Sequence, residues 1–161
     1  MRSVRCVALA ACLCLLIASL ASLASADRVE CTPLLNSNGK TVGYCIEVCN
    51  TLEDPCTEAG CIYDFHVSIE SKCKIRQIRL VPKDWTGVIS GDRLGVGFVT
   101  PPPTGGTPNP IKPGQCKRFC ILTDCSEGGC FRINWWTTDR QGGILDQGVR
   151  TCCPAATPTG S

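Results

Sequence analysis

Downstream of residue 26 the chain reads as short runs of alternating apolar and polar residues parted by turn residues, which is the pattern of β-strands and not of helices. In 63–69 the apolar Tyr63, Phe65, Val67 and Ile69 fall on one side and Asp64, His66 and Ser68 on the other, as the two-residue period of a strand requires. Candidate strands 29–35 and 41–49 flank Asn36-Ser37-Asn38-Gly39, a turn whose Asn and Gly residues tolerate positive φ. Segment 73–81 changes phase: Cys73 and Ile75 share one parity, Ile78 and Leu80 the other. A bulge near Arg76-Gln77 would reconcile them. Leu94, Val96 and Phe98 alternate with Gly95 and Gly97, and 115–123, 131–138 and 144–150 complete the set. The proline- and glycine-rich stretch 101–114, PPPTGGTPNPIKPG, reads as a long surface loop. Seven or eight short strands predict an all-β fold: a disulfide-rich antiparallel β-sandwich of immunoglobulin-like architecture, with a Greek-key barrel as the alternative.

The first 26 residues differ from the rest. Arg2 and Arg5 precede an apolar run from Val7 to Leu20, and Ala24-Ser25-Ala26 follows. A basic start, an apolar centre and a small-x-small ending define a secretory signal peptide. The run is too short to span a bilayer, which takes roughly 20 residues. Leu9-Ala10-Ala11-Cys12 resembles a lipoprotein cleavage box, a secondary alternative. The expected organisation is a signal peptide at 1–26, one domain at 27–154 and a disordered tail at 155–161, with no membrane span once the signal is removed.

Cleavage changes the charge. The chain has 16 Lys+Arg and 14 Asp+Glu; losing Arg2 and Arg5 leaves 14 against 14. A neutral domain lacks the basic excess that nucleic-acid binding wants, so no nucleic-acid partner is expected. The charges are unevenly placed, acidic before Ser71 and basic from Lys72 to Arg118, as solvated faces of a small domain can be.

Three of the 15 cysteines, Cys6, Cys12 and Cys14, leave with the signal. Twelve remain: Cys31, Cys45, Cys49, Cys56, Cys61, Cys73, Cys116, Cys120, Cys125, Cys130, Cys152 and Cys153. An even number in a secreted chain implies disulfides. A metal site is disfavoured by the single histidine, His66, and no haem, iron–sulfur or C-x-x-C redox spacing occurs. No cofactor is expected. The cysteines also form a repeat. CIEVCNTLEDPCTEAGCI at 45–62 and CKRFCILTDCSEGGCF at 116–131 share C-x3-C followed by C-[ST]-E-[AG]-G-C. Each copy leads into an alternating strand, which suggests a duplicated unit.

Spacing constrains the pairing. Residues i and i+4 of a strand share a face but lie roughly 13 Å apart, beyond the ~7 Å reach of a disulfide. Cys45 and Cys49 therefore look to Cys116 and Cys120. Cys56 with Cys61 and Cys125 with Cys130 bracket four-residue loops and are expected to bridge across hairpins. Adjacent Cys152 and Cys153 should point apart, with Cys31 and Cys73 left as their candidates.

No catalytic machinery stands out. His66 has Asp64 and Ser68 on its strand face, but i, i+2 neighbours sit nearly 7 Å apart, too far for a triad's direct hydrogen bonds. Nucleophile-elbow, phosphate-loop and dinucleotide motifs are missing. Binding is the better prospect. Trp135 and Trp136 are adjacent in a strand and so face opposite ways; Trp135 joins Phe131 and Ile133 in the core. Trp136 then faces out with Asn134 and Thr138 as a stacking or anchoring surface. Lys72, Lys74 and Arg76 form a second, basic candidate surface. The expectation is a secreted, non-enzymatic protein with a structural or adhesive role at the cell surface or in an extracellular assembly. Its partner would be an extracellular protein or glycan, or a second copy. The alternatives are a carbohydrate- or protein-binding module using Trp136 and the basic strand, and a cysteine-rich inhibitor or effector presenting 101–114.

Overall fold

The computed structural model describes residues 27–52, 60–70, 73–101, 105–124 and 130–155. Nine strands occur among them: β1 (Asp27–Leu35), β2 (Thr41–Asn50), β3 (Asp64–Ile69), β4 (Ile75–Leu80), β5 (Thr86–Ile89), β6 (Gly95–Val99), β7 (Cys116–Thr123), β8 (Phe131–Thr138) and β9 (Ile144–Cys152). They form a four-stranded sheet, β1-β2-β7-β4, and a five-stranded sheet, β5-β6-β3-β8-β9. Every pairing is antiparallel. The fold is an immunoglobulin-like β-sandwich. No described helix is long and apolar enough to cross a membrane.

The alternation seen in the sequence is the division between core and surface. Phe65, Val67 and Ile69 of β3, Val96 and Phe98 of β6, and Phe131, Ile133 and Trp135 of β8 are buried against Tyr44, Ile46, Val48, Phe119 and Ile121 of the opposite sheet. Phe119 sits at the centre, its ring 4.6 Å from that of Phe98, 5.4 Å from Phe65 and 5.2 Å from Trp85. The β1–β2 turn has Gly39 at φ 72°, and the Asn36 side chain accepts from the N–H groups of Asn38 and Lys40. The β4–β7 register shifts between Ile75 and Gln77, where the phase change asked for a bulge.

Two expectations are corrected. Strand β5, just after Trp85, was not apparent in the sequence: Thr86-Gly87-Val88-Ile89 is short and carries a glycine, yet it pairs with β6 as an edge strand. The stretch 101–114 is not wholly a surface loop. Ile111 is 0% exposed and pairs with Ile62 as an isolated bridge, while the carbonyl of Asn109 accepts from the indole N–H of Trp85. The isoleucine anchors the connection because burying it removes apolar surface from water.

The bridges settle the cysteine chemistry. Cys45–Cys120 and Cys49–Cys116 cross between neighbouring β2 and β7, each with Cα atoms 4.0 Å apart. Cys31–Cys152 joins β1 to β9 across the two sheets. Cys130 bonds Cys153, which corrects the expected Cys125–Cys130 hairpin bridge. The reason is topological. β7 and β8 lie in different sheets, so they form no hairpin, and the β8–β9 ladder that pairs Phe131 with Cys152 sets Cys130 opposite Cys153 one step further on. Cys153 thus takes Cys130 and not Cys31 or Cys73. Cys61 and Cys73 are also disulfide-bonded; the Cys56–Cys61 pairing falls outside the described residues, as do Cys56 and Cys125 themselves. Glu47 approaches Cys49 and Cys116 in ligand-like fashion, but those two sulfurs are consumed in a bond to each other.

Candidate functional site

The outer face of the five-stranded sheet carries the candidate site. Register places Val88 of β5, Gly97 of β6, His66 of β3, Trp136 of β8 and Gln147 of β9 in one row across all five strands. The rings of His66 and Trp136 stack, with centroids 4.8 Å apart and planes 4° from parallel. The imidazole leans over Gly97: a Cβ there would lie 2.9 Å from Nδ1 and 3.0 Å from Cε1. The stack therefore depends on a residue with no side chain. Val88, the next member of the row, is 64% exposed.

Gly95 and Gly97 leave a trough along β6, since neither supplies a side chain to the outer face. It opens into a groove of about 390 Å³, with Val88, Ser90 and Asp92 on one flank and Ser68, His66 and Trp136 on the other. Two of its polar groups are turned on one another. Ser90 Oγ donates to Asp92 Oδ1 at 2.5 Å, and Asp92 also accepts from the N–H of Leu94. These bonds hold the Asp92 carboxyl below the usual carboxylate range. Beside the groove, Asn134 Nδ2 donates to Glu70 Oε1 at 2.6 Å, and Glu70 also meets Arg132 at 3.8 Å. Burial pushes the His66 imidazole below its ordinary pKa, against the opposing pull of Asp64. Burial likewise raises the Asp64 carboxyl, while Thr138 and His66 draw it down.

The expected site residues divide. Trp136 and Asn134 face outward together, half-buried. Thr138 does not join them as an open surface: it is 6% exposed and donates to Asp64 Oδ2 at 3.0 Å. Arg76 belongs to β4 in the other sheet, where it meets Asp124 at 4.0 Å. Lys74 lies just before β4 and donates from Nζ to the carbonyl of Asp92, a groove residue, at 3.0 Å. Lys72 lies outside the described residues. The basic segment and the tryptophan face are therefore two surfaces that touch at the Asp92 end of the groove. Val88 and the two glycines of β6 are not among the expected site residues. The Leu-Gly-Val-Gly-Phe alternation was their signal, because it puts both glycines on the solvent side.

No family model and no curated protein matches the chain. Its fold is similar to that of an uncharacterized protein from Nocardia farcinica with an immunoglobulin-like fold. The TM-score is 0.50 at 13% identity, over 78% of this chain and 97% of that one. The Reelin-N domain of F-spondin superposes with a TM-score of 0.48 at 8% identity, over 82% and 88% of the two chains. The collagen-binding domain of a Staphylococcus aureus adhesin gives 0.40 at 6% identity, over 82% and 99%. At such identities a likeness speaks to fold alone.

Proposed function

We propose that the chain is a secreted, non-enzymatic adhesive module, and that it holds an extracellular protein through the outer face of its five-stranded sheet. The observation that carries this reading is the His66–Trp136 stack, seated on Gly97 beside an open groove. An aromatic held in one position loses little freedom on binding and makes a natural anchor. Around it lie exposed apolar side chains together with Gln147, the exposed neighbour of Trp136 in the row. Val88 and Val149 flank the stack on the edge strands, and Ile144 extends the face beyond them. Ser90 is paired with Asp92 and Asn134 with Glu70, so a glycan that used these groups would have to break those bonds. A protein surface would cover Val88, Val149 and the Trp136 ring without doing so.

Beads coated with the chain test this against purified extracellular-matrix proteins, against beads carrying the chain itself, and against a glycan array. Binding to a protein surface is expected, and it should fall at least tenfold in Trp136→Ala and in Val88→Asp with the fold intact by circular dichroism. Binding to glycans alone would replace the reading by the carbohydrate one. Binding that neither substitution disturbs would remove this face from consideration.

A further inference from the structure

Asp27 opens β1, and its backbone N–H donates to Asp146 Oδ2 on β9 at 3.0 Å. Its own carboxylate accepts from Thr137 Oγ1 on β8 at 2.5 Å. The residue is 6% exposed. Its partner in the β1–β2 ladder is Asn50, whose amide is committed to the carbonyls of Gly60 and Ile111. The Asp146 carboxylate thus meets the Asp27 nitrogen where β1 of one sheet approaches β9 of the other. The Cys31–Cys152 bridge joins the same two strands. Immediately upstream stands Ala24-Ser25-Ala26, the small-x-small sequence that precedes a signal-peptidase cut.

We propose that cleavage between Ala26 and Asp27 creates the ligand of this site: the chain's own α-ammonium group, held against the carboxylate of Asp146. The step is hydrolysis of one peptide bond. Water gives its hydroxyl to the Ala26 carbonyl and a hydrogen to the Asp27 nitrogen, which takes up a further proton at neutral pH. The amide offers a single N–H. The ammonium offers three and a unit positive charge at the same position. While the nitrogen is an amide, burial above all, with the Asp146 charge adding to it and the Thr137 hydrogen bond opposing, puts the Asp27 carboxyl at about 6. A cation at that nitrogen draws it back down. The inference rests on the secretion part of the proposed function and is independent of the ligand-binding face.

Every described strand and core residue lies downstream of Ala26, so the chain from Asp27 to Ser161 is the molecule to test. It is prepared with a free amine and with that amine acetylated, each also as Asp146→Asn. At pH 6.5 the free-amine form should melt higher by about 3 °C or more. An α-amino group raised above its unfolded value of about 7.7–8.0 stabilises below that pH and stops doing so as pH rises through its folded value. The advantage should therefore vanish near pH 10, and it should fall by half or more in Asp146→Asn. The Asp27 carboxyl, followed by carbon-13 NMR, should titrate lower in the free-amine form. The intact mass of the protein secreted by expressing cells should place its first residue at Asp27. Equal melting of the two forms at pH 6.5, or secreted protein beginning elsewhere, would overturn the proposal. Full-length chain retained in the cell would overturn both the cleavage and the secretion reading, whereas failure of ligand binding alone leaves both standing.

Discussion

Arg118 and Glu47 face each other across β7 and β2, Nη2 to Oε2 3.6 Å, midway between the Cys45–Cys120 and Cys49–Cys116 bridges. Each is the residue two beyond the first cysteine of its C-x3-C copy. The first cysteine of either copy bonds the second cysteine of the other. The strands that follow behave alike, for β3 pairs with β8 so that Asp64 meets Thr138 and Ile69 meets Ile133. The two cysteine segments and the strands that follow them thus pair antiparallel in both sheets, each with its counterpart, as the halves of a two-fold pair do.

This arrangement makes the two β2–β7 bridges interdependent. With one in place, the other closes only a short ring; with neither, loops of 75 and 67 residues open. Replacing Cys45 and Cys120 by Ala should cost about 2–3 kcal/mol, and Cys49 with Cys116 a similar amount. Removing all four should cost more than the sum. Urea unfolding of the three variants checks this, and strict additivity would contradict it.

Gly97→Val should unseat the His66 ring, because even a Cβ would sit 2.9 Å from Nδ1. Overpacking of this kind costs about 1–3 kcal/mol. The stack should open at the same time, changing the near-ultraviolet dichroism of Trp136. Unchanged spectrum and stability would mean that the ring does not depend on the glycine.

His66 offers an optical report on the site. A protonated imidazole against an indole quenches its fluorescence. Burial lowers the His66 pKa, with Asp64 opposing, so quenching of Trp136 should set in below pH 6.5. The same sign holds for stability. A histidine whose folded pKa is depressed contributes above its unfolded value of about 6.5 and loses that contribution as pH falls towards the folded one. Both effects should be missing in His66→Gln, and the fluorescence change should be missing in Trp136→Phe. A midpoint above 6.5 would contradict the geometry.

Phe119→Ala removes the ring that three other aromatic side chains touch. A loss of about 3–5 kcal/mol is expected, read from the denaturation midpoint. A loss under 1 kcal/mol would mean that the core collapses around the gap.

Most of the fold was legible because the strand period separates core from surface without reference to anything distant. Phe65, Val67 and Ile69 announce their face by alternation alone. The bulge between Ile75 and Gln77 was legible for the same reason, as a break in phase. What could not be read locally depends on which strands become neighbours. Cys130 looked like the end of a hairpin because nothing nearby reveals that β7 and β8 belong to different sheets. Thr138 had the outward parity but meets Asp64, a partner 74 residues away. Trp136 was found from its parity, whereas its seat on Gly97 through His66 required the order β6-β3-β8.

Cys31 and Cys152 stand 121 residues apart in sequence, with Cα atoms 5.4 Å apart. A pull on the two ends of the domain would run from one sulfur to the other, so that strands β2 to β8, which lie between the two cysteines, are bypassed. Pulled at its two ends, such a domain would pass the force along and lengthen little.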